Sequence, residues 1–226
     1  MNRLVIGEIN VNGLQNKIDA LKLLVIDHLD ILVIIETKLD SSFPTAQFMI
    51  DGFSSPFRLD RNKFGGGIIV YVREDIVSKE LKSHPQDINI EGIFIEINLR
   101  SRRWLLFAGY NNLKSNISNY LYKLGQCLGT YLSKYENILL IGDFNSETSE
   151  TSMNEFCDIY SLKNLIKDHT CFKNPLNPSS IDLMLTNRIR SFQNSQTVEI
   201  GQSDHHKMTI SVLKAFFPKQ APKQIS

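Results

Sequence analysis

The tetrad Gly142-Asp143-Phe144-Asn145 carries the side chains best suited to chemistry in this chain, and it directly follows the apolar run 138–141. A short apolar run ended by glycine predicts a buried strand that stops abruptly. Asp143 and Asn145 are two positions apart, so their side chains share one face if the extended backbone continues. A carboxylate and a carboxamide held there could orient a water molecule and a phosphate oxygen. An ordinary turn after a strand explains the same residues equally well.

Polar groups at other strand ends favour the functional interpretation. These groups are Asn10 and Asn12, Glu36, Asp182, and Ser203-Asp204-His205. Asp182 is the most informative, because it lies inside the apolar segment Ile181–Leu185, where an acid requires a partner. Each group alone could be a cap or a turn residue. Together, at separate strand ends, they predict one shared site.

The spacing of apolar residues predicts the elements that must position these groups. Strands are predicted at Leu4–Val11, Ile31–Ile35, Ile68–Val72, Ile90–Leu99, Trp104–Tyr110, Ile138–Ile141, Leu165–Ile166, Ile181–Leu185 and Met208–Leu213, with a further strand-like arm before the turn Asn174–Ser180. Helices are predicted at Asn16–Leu29, Ile117–Leu132 and Ser152–Tyr160. Phe43–Lys63 contains two prolines, one glycine and two serines and is predicted to be mostly loop. Roughly ten strands with few helices between them indicate two packed sheets flanked by helices.

Composition limits the class of protein. The chain has 226 residues, of which 42% are hydrophobic and 22% charged, which is typical of one globular domain with a substantial core. Its formal net charge of +1 means that nucleic-acid binding would need local basic clusters. Three widely spaced cysteines argue against a disulfide framework and favour an intracellular setting. The most apolar region, Leu21–Ile35, is too short and too charged to span a bilayer, so no membrane partner is expected.

Six motifs occur in the order found in the exonuclease–endonuclease–phosphatase superfamily. They are Asn10-Val11-Asn12-Gly13-Leu14, Glu36-Thr37-Lys38, Tyr110, Gly142-Asp143-Phe144-Asn145, Ser180-Ile181-Asp182 and Ser203-Asp204-His205. Within that superfamily the chain most resembles the apurinic-type endonuclease domain of non-LTR (LINE-type) retrotransposons. The resemblance implies an α/β fold, a four-layered α/β/β/α sandwich of two mixed sheets packed face to face with helices outside. We expect an endonuclease domain over residues 1–217 and a linker or tail over 218–226.

The same resemblance implies a metal-dependent nuclease. The expected activity is Mg²⁺-dependent cleavage of a phosphodiester in double-stranded DNA, with Mn²⁺ as a possible substitute. Cleavage would leave a 3′-hydroxyl that primes a reverse-transcriptase module located C-terminally in the natural polypeptide. The protein would then be made in the cytoplasm and act on nuclear DNA.

The resemblance also implies a role for each motif residue. Glu36, Asn10 and Asp204 are the expected metal ligands, since Mg²⁺ prefers oxygen donors. Asp143 would accept a proton from the attacking water, which Asn145 would hold. His205 would contact the scissile phosphate, oriented by Asp182, while His206 is expected to point the opposite way. Tyr110 would donate to the phosphate or leaving group, and the expected substrate contacts are Asn12, Thr170, Lys173 and Ser203.

Departures from the family pattern bear on which member this is. Ser179-Ser180-Ile181 lacks the aromatic and basic residues that precede the matching acid in abasic-site repair enzymes, which favours the retrotransposon branch. The turn Lys173–Ser180 matches a hairpin that would read the minor groove through its shape. Candidate phosphate contacts are Arg58, Arg61, Lys63, Arg100, Arg102, Arg103, Arg188 and Arg190. A repair endonuclease, another phosphohydrolase of the superfamily, and an inactive nucleic-acid-binding copy remain alternatives.

Overall fold

Two six-stranded mixed sheets form the centre of the protein. The computed structural model describes residues 3–82, 88–99, 102–112, 116–201, 203 and 206–214. The first sheet has the order β11-β12-β1-β2-β4-β3. Its strands are β1 (Leu4–Asn10), β2 (Ile31–Ile35), β3 (Phe57–Leu59), β4 (Ile68–Val72), β11 (Phe192–Val198) and β12 (Met208–Leu213). Only β1 and β2 run parallel among its described pairings.

The second sheet has the order β5-β6-β7-β8-β10-β9. Its strands are β5 (Val77–Glu80), β6 (Gly92–Leu99), β7 (Arg102–Tyr110), β8 (Asn137–Asp143), β9 (Lys163–Asn164) and β10 (Asp182–Thr186). The parallel pair here is β7 and β8. All seven residues of β8 are buried, as expected for a central strand covered on both faces.

Three helices complete the layers. They are α1 (Ile18–His28), α2 (Ile117–Gly129) and α3 (Thr151–Ile159). One apolar cluster lies between the sheets, a second joins the second sheet to α2 and α3, and a third joins the first sheet to α1. The predicted four-layered α/β/β/α sandwich is therefore confirmed. None of the helices described is long and apolar enough to cross a bilayer.

The differences from prediction lie in strands with weak apolar patterns. β3 was assigned to loop, and β11 was missed because Phe192–Val198 is mostly polar and half-buried at the edge of its sheet. A register shift between Gln193 and Gln196 interrupts the β11 pairing further. The predicted tail at 218–226, like Arg100, Asp204 and His205, lies outside the described residues.

The ends of several strands meet at one edge of the sandwich. β1, β2, β7 and β8 all end there, and β10 begins there. The register of β7 with β8 aligns Tyr110 with Asp143, and that of β8 with β10 aligns Asp143 with Asp182. The strand ends predicted to share a site are thus brought together by backbone pairing.

Gly142 allows β8 to approach β7 closely at this edge. Its φ is +148°, and a Cβ atom there would lie 1.9 Å from the carbonyl oxygen of Gly109 on β7. That oxygen belongs to sheet backbone, which cannot move aside without breaking the ladder that positions Asp143. The glycine before Asp143 is therefore required by the geometry of the sheet.

We expect Gly142→Ala to lower the free energy of unfolding by about 3 kcal/mol or more, because the methyl group would clash with the β7 backbone. Chemical denaturation followed by circular dichroism measures the change. Gly129→Ala is the matched control, since a Cβ at that helical glycine meets no atom within 4 Å. The control should be neutral or stabilising by up to about 1 kcal/mol; equal effects for both variants would contradict the steric explanation.

Candidate active site

Two buried carboxylates face each other across neighbouring strands. Asp143 ends β8 and Asp182 begins β10, and the antiparallel register places them directly opposite. The two residues are only 2% and 1% exposed. Burial, followed by the charge of Asp182, raises the pKa of Asp143 to about 8. An acid pair this close stays in place only if surrounding groups stabilise its charge.

Hydrogen bonds to Asp143 come from both sheets. The side-chain Nδ2 of Asn10, at the end of β1, donates to Asp143 Oδ2 at 2.9 Å and so links the two sheets. The backbone N–H of Asn145 donates to Asp143 Oδ1 at 2.9 Å. Asn145 has a φ of +48°, so the chain turns after Asp143 and does not continue extended as one prediction assumed. Asn145 is instead held by donating to the Asn111 carbonyl at 2.7 Å.

His206 is the imidazole paired with Asp182. Its Nδ1 lies 2.9 Å from Asp182 Oδ2, and its Nε2 lies 3.7 Å from the sulfur of Cys171. Burial disfavours the imidazolium, but the bonds to Asp182 and Cys171 and the nearby charges outweigh it and raise the pKa to about 11. The expectation that His206 points away was therefore wrong. His205 and Asp204 lie outside the described residues, so their expected roles stay predictions.

Thr170 positions Asp182 and is not exposed to a substrate. It is 0% exposed, and its hydroxyl accepts from the backbone N–H groups of Ile181 and Asp182 at 3.2 and 3.1 Å. Its predicted DNA contact is therefore wrong, because the hydroxyl is engaged inside the protein. Ser203 has a similar local contact, since its Oγ accepts from the His206 N–H at 3.1 Å, but it also lines the cavity.

A cavity of about 660 Å³ opens beside this cluster. The predicted residues that line it are Asn10, Asn12, Glu36, Tyr110, Asp143, Asn145, Lys173 and Ser203, together with His206. Glu36 has a φ of +55°, and the Tyr110 hydroxyl donates to its Oε1. Burial and that carboxylate raise the pKa of Tyr110, so its hydroxyl stays protonated as a donor.

Lys38 is a cavity cation that the sequence analysis missed. It has a φ of +53°, lines the cavity, and donates through Nζ to Asn12 Oδ1. It follows Glu36 by two residues, within the motif that pointed to Glu36. A lysine in such a motif gives no signal by itself, because most lysines are solvated.

Glu8 is a second missed residue, fully buried behind the acid pair. It precedes Asn10 by two positions on β1 and is 0% exposed. Thr209 donates to its Oε2 at 2.9 Å, whereas Oε1 has no hydrogen-bond partner. Burial, then the charges of Asp182 and Asp143, raise the pKa of Glu8 well above its usual value. An acid inside an apolar strand is the same signal that identified Asp182, so the sequence could have revealed it.

The donor set fits a hard divalent cation. Ligand atoms of Asp143, Asp182 and His206 lie within 4.8 Å of one another, and Asp182 Oδ1 is buried without a hydrogen-bond partner. The raised pKa of His206 keeps its ring protonated and without a lone pair for a cation, so carboxylate and amide oxygens are the available ligands. Glu36 and Asn10 supply such oxygens in the same cavity. Oxygen donors of this kind are typical of magnesium and manganese sites.

Exposed apolar side chains border the cavity. Phe64 lines it and is 82% exposed, and Leu176 is 97% exposed in the turn between Cys171 and Ser179. The exposed Lys173 lies on that turn. One of the candidate phosphate contacts, Arg61, lies near the cavity, 5.6 Å over the ring of Tyr110. Three others line a separate groove at the far end of the strands: Arg102, Arg103 and Arg188.

The comparison with known families agrees with this geometry. Residues 7–205 match the Endonuclease/Exonuclease/phosphatase family, and the chain belongs to that family. None of the curated proteins matches the chain. The family and its structural neighbours are hydrolytic nucleases or phosphatases.

Solved structures with the same fold cover nearly the whole chain. The endonuclease domain of TRAS1, a telomere-specific non-LTR retrotransposon, aligns with a TM-score of 0.72 at 12% identity, covering 95% of this chain and 99% of that one. A 3′–5′ exonuclease from Neisseria meningitidis gives 0.71 at 17% identity, covering 93% and 99%. An AP endonuclease from Archaeoglobus fulgidus gives 0.68 at 15% identity, covering 94% and 100%. These similarities establish the fold.

We expect Glu8→Gln to raise stability at high pH relative to the unmodified protein. The pKa of Glu8 is raised in the folded state, so its contribution is fully present below the unfolded value of about 4.5 and is lost as pH rises toward the folded value. Each pH unit in that window costs about 1.4 kcal/mol. The difference in free energy of unfolding should therefore exceed about 1 kcal/mol at pH 8 and vanish near pH 4.

Urea denaturation at several pH values measures this difference. Glu155→Gln, an exposed substitution on α3, is the control and should show no pH-dependent gain. A Glu8→Gln profile that runs parallel to that of the unmodified protein would contradict the assignment of Glu8 as a neutral buried acid.

Proposed function

We propose that the protein is a metal-dependent endonuclease that nicks double-stranded DNA. One observation carries the proposal: Asp143 and His206, which lie against the buried Asp182, line a cavity together with Glu36 and several amides. Phosphodiester hydrolysis needs a water activator, donors to the phosphate oxygens and a metal site, and this edge offers residues for each.

Asp143 is suited to accept the proton of the attacking water. Its two oxygens are fixed by Asn10 and by the Asn145 backbone, so its orientation is set before substrate binds. The Asn145 side chain reaches the cavity beside it and can hold the water in line with phosphorus. Burial and the charge of Asp182 raise the pKa of Asp143 to about 8, which suits a group that exchanges a proton near neutral pH.

His206 is suited to stabilise the charge that develops on the phosphate. Its raised pKa keeps the imidazole protonated at neutral pH, and Asp182 fixes the ring. Tyr110 supplies a hydroxyl near the end of β7 that remains a donor. A Mg²⁺ or Mn²⁺ ion held by Glu36 and Asn10, with Asp204 as a further ligand, would neutralise charge on a non-bridging oxygen and lower the pKa of nearby groups.

The shape of the site favours a polymeric substrate. The cavity is bordered by the exposed Phe64 and by the turn that carries Leu176 and Lys173, which extends the contact surface beyond one phosphate. Exposed apolar side chains that flank a polar site are suited to enter a minor groove. The fold is also that of a Neisseria 3′ phosphatase whose solved structure holds a product DNA hairpin.

We further propose the retrotransposon branch of the family. The TRAS1 endonuclease shares the fold over nearly the whole chain, and the segment before Asp182 lacks the residues of abasic-site enzymes. In this branch the nick leaves a 3′-hydroxyl on nuclear DNA for a C-terminal reverse-transcriptase module. Minor-groove contacts through the turn at 172–178 would then select sites by groove shape.

We expect the protein with Mg²⁺ to convert supercoiled plasmid to open circles. Asp143→Asn should lower the nicking rate at least 100-fold because it removes the proton acceptor, and Glu36→Gln should raise the Mg²⁺ concentration needed for half-maximal rate. Asp158→Asn and Glu155→Gln are exposed controls on α3 that should nick normally. Extension of the nicks by a DNA polymerase without prior phosphatase treatment tests for the 3′-hydroxyl.

The outcomes separate the alternative functions. Cleavage confined to duplexes with an abasic site would assign the protein to repair. Release of phosphate from an inositol phosphate with an intact plasmid would assign a phosphatase. Failure to cleave any of these substrates with Mg²⁺ or Mn²⁺ would show an inactive copy.

The pairing with Asp182 predicts that His206 is the essential imidazole. His206→Gln should lower the nicking rate about 100-fold, as the loss of one transition-state donor does elsewhere, whereas His205→Gln should lower it less than tenfold. Histidine NMR should show one imidazolium that stays protonated through neutral pH and disappears in His206→Gln. A larger loss of nicking rate in His205→Gln than in His206→Gln would instead assign the phosphate contact to His205.

A further inference from the structure

A basic groove lies at the opposite end of the strands that carry the acid cluster. It has a volume of about 590 Å³, and its cations are Arg102, Arg103, Lys134 and Arg188. Arg102 begins β7, and Asn137, which begins β8, also lines the groove. β8 spans seven residues from Asn137 to Asp143, which places the groove about 20 Å from the acid pair.

Buried polar contacts hold the groove in shape. Asn137 is 9% exposed; its Nδ2 donates to the Arg103 carbonyl at 3.0 Å, and its Oδ1 accepts from Arg188 Nε at 3.2 Å. Arg103 lies 5.6 Å over the ring of Tyr135. Guanidinium groups fixed in this way lose less freedom on binding a ligand than flexible lysines do.

The charge of the groove is concentrated, although the whole chain is nearly neutral. Four cations line it, and two acids lie near them: Glu136, which is 89% exposed and 3.7 Å from Arg188, and Glu96, which is 3.9 Å from Arg103. Arg190 and Lys214 add exposed cations next to it, with Lys214 Nζ donating to the Arg190 carbonyl at 3.2 Å. The formal net charge of the chain is only +1, so this face has an excess that the remainder offsets.

We propose that this groove binds the sugar–phosphate backbone of a nucleic-acid duplex, as a second site separate from the nuclease cavity. Fixed arginines suit phosphate oxygens, because the guanidinium donates two parallel hydrogen bonds. The two sites lie at opposite edges of the sandwich, so a straight duplex that lies across one edge leaves the other edge uncovered. The chain would thus hold two segments of nucleic acid at once.

Counting bound duplexes tests the proposal. The nicking-deficient Asp143→Asn protein is titrated at several salt concentrations with a 12-base-pair DNA duplex, which is about 40 Å long. Sedimentation and native mass spectrometry measure the number of duplexes bound per chain. We expect two duplexes per chain. With Arg102→Gln, Arg103→Gln and Arg188→Gln combined, one duplex should remain. For the duplex that the groove variant no longer binds, the slope of log affinity against log salt concentration should be about −3 in the protein with an intact groove.

Controls separate the groove from net charge and from the nuclease site. Lys22→Gln, Lys82→Gln and Lys123→Gln combined remove the same charge from other faces and should keep both duplexes. In protein that keeps Asp143, the triple groove variant should nick the short duplex at the rate of the unmodified protein. Normal nicking would also show that this variant is folded. If the cavity does not bind DNA, one duplex should bind and the groove variant should lose it.

Three results would overturn the proposal. One duplex per chain in every variant would show a solvated surface. Equal loss in both triple variants would show an effect of net charge. Binding of a polyglutamate peptide that the groove variant loses, without a second duplex, would assign the groove to an acidic protein segment.

Discussion

The close approach of Asp143 and Asp182 is the constraint on which the rest of the site depends. The pairing of β8 with β10 forces the two carboxylates together, and burial makes their charge costly. The surrounding contacts reduce that cost: an amide from β1, a backbone N–H after β8, and the imidazole of His206 all face the pair. Loss of any one would leave a buried charge less well stabilised. The chemistry and the stability of this edge therefore depend on the same contacts.

The hydrogen bond from Asn10 to Asp143 makes the site depend also on how the two sheets pack against each other. It joins residues 133 positions apart in the chain and crosses the interface that the central apolar cluster fills. A shift of one sheet against the other would break this hydrogen bond before it exposed much apolar surface. Substitutions in the core that change volume should therefore affect the site through sheet position, without touching any polar residue.

Prediction from the sequence succeeded where a residue breaks a local pattern. Asp182 in an apolar segment and the tetrad at the end of β8 were singled out because a buried acid or an abrupt strand end is visible within a few residues, and the structure brings Asp143 and Asp182 together. Glu36 and Asn10 were singled out in the same way and line the same cavity as Asp143, and the sandwich followed from the number of strands. The contacts of Thr170 and His206 with the segment at Asp182 were not predicted, because they depend on how distant parts of the chain pair with one another. The turn at Asn145 stayed one of two alternatives because a strand pattern does not show where φ becomes positive.

Acidic side chains cluster at one end of the strands of the second sheet, and basic side chains cluster at the other end. At one end of β7, β8 and β10, two acids are buried beside the imidazole of His206. At the other end, exposed arginines line a groove, with Arg103 3.9 Å from Glu96 and Arg188 3.7 Å from Glu136. The near-zero net charge of the chain conceals this separation, because summation over residues loses position. Strands in a packed sandwich hold their length, so the two ends cannot neutralise each other across about 20 Å. Each end is therefore compensated by contacts local to it: hydrogen bonds and the imidazole of His206 at the acids, and Glu96 and Glu136 at the arginines.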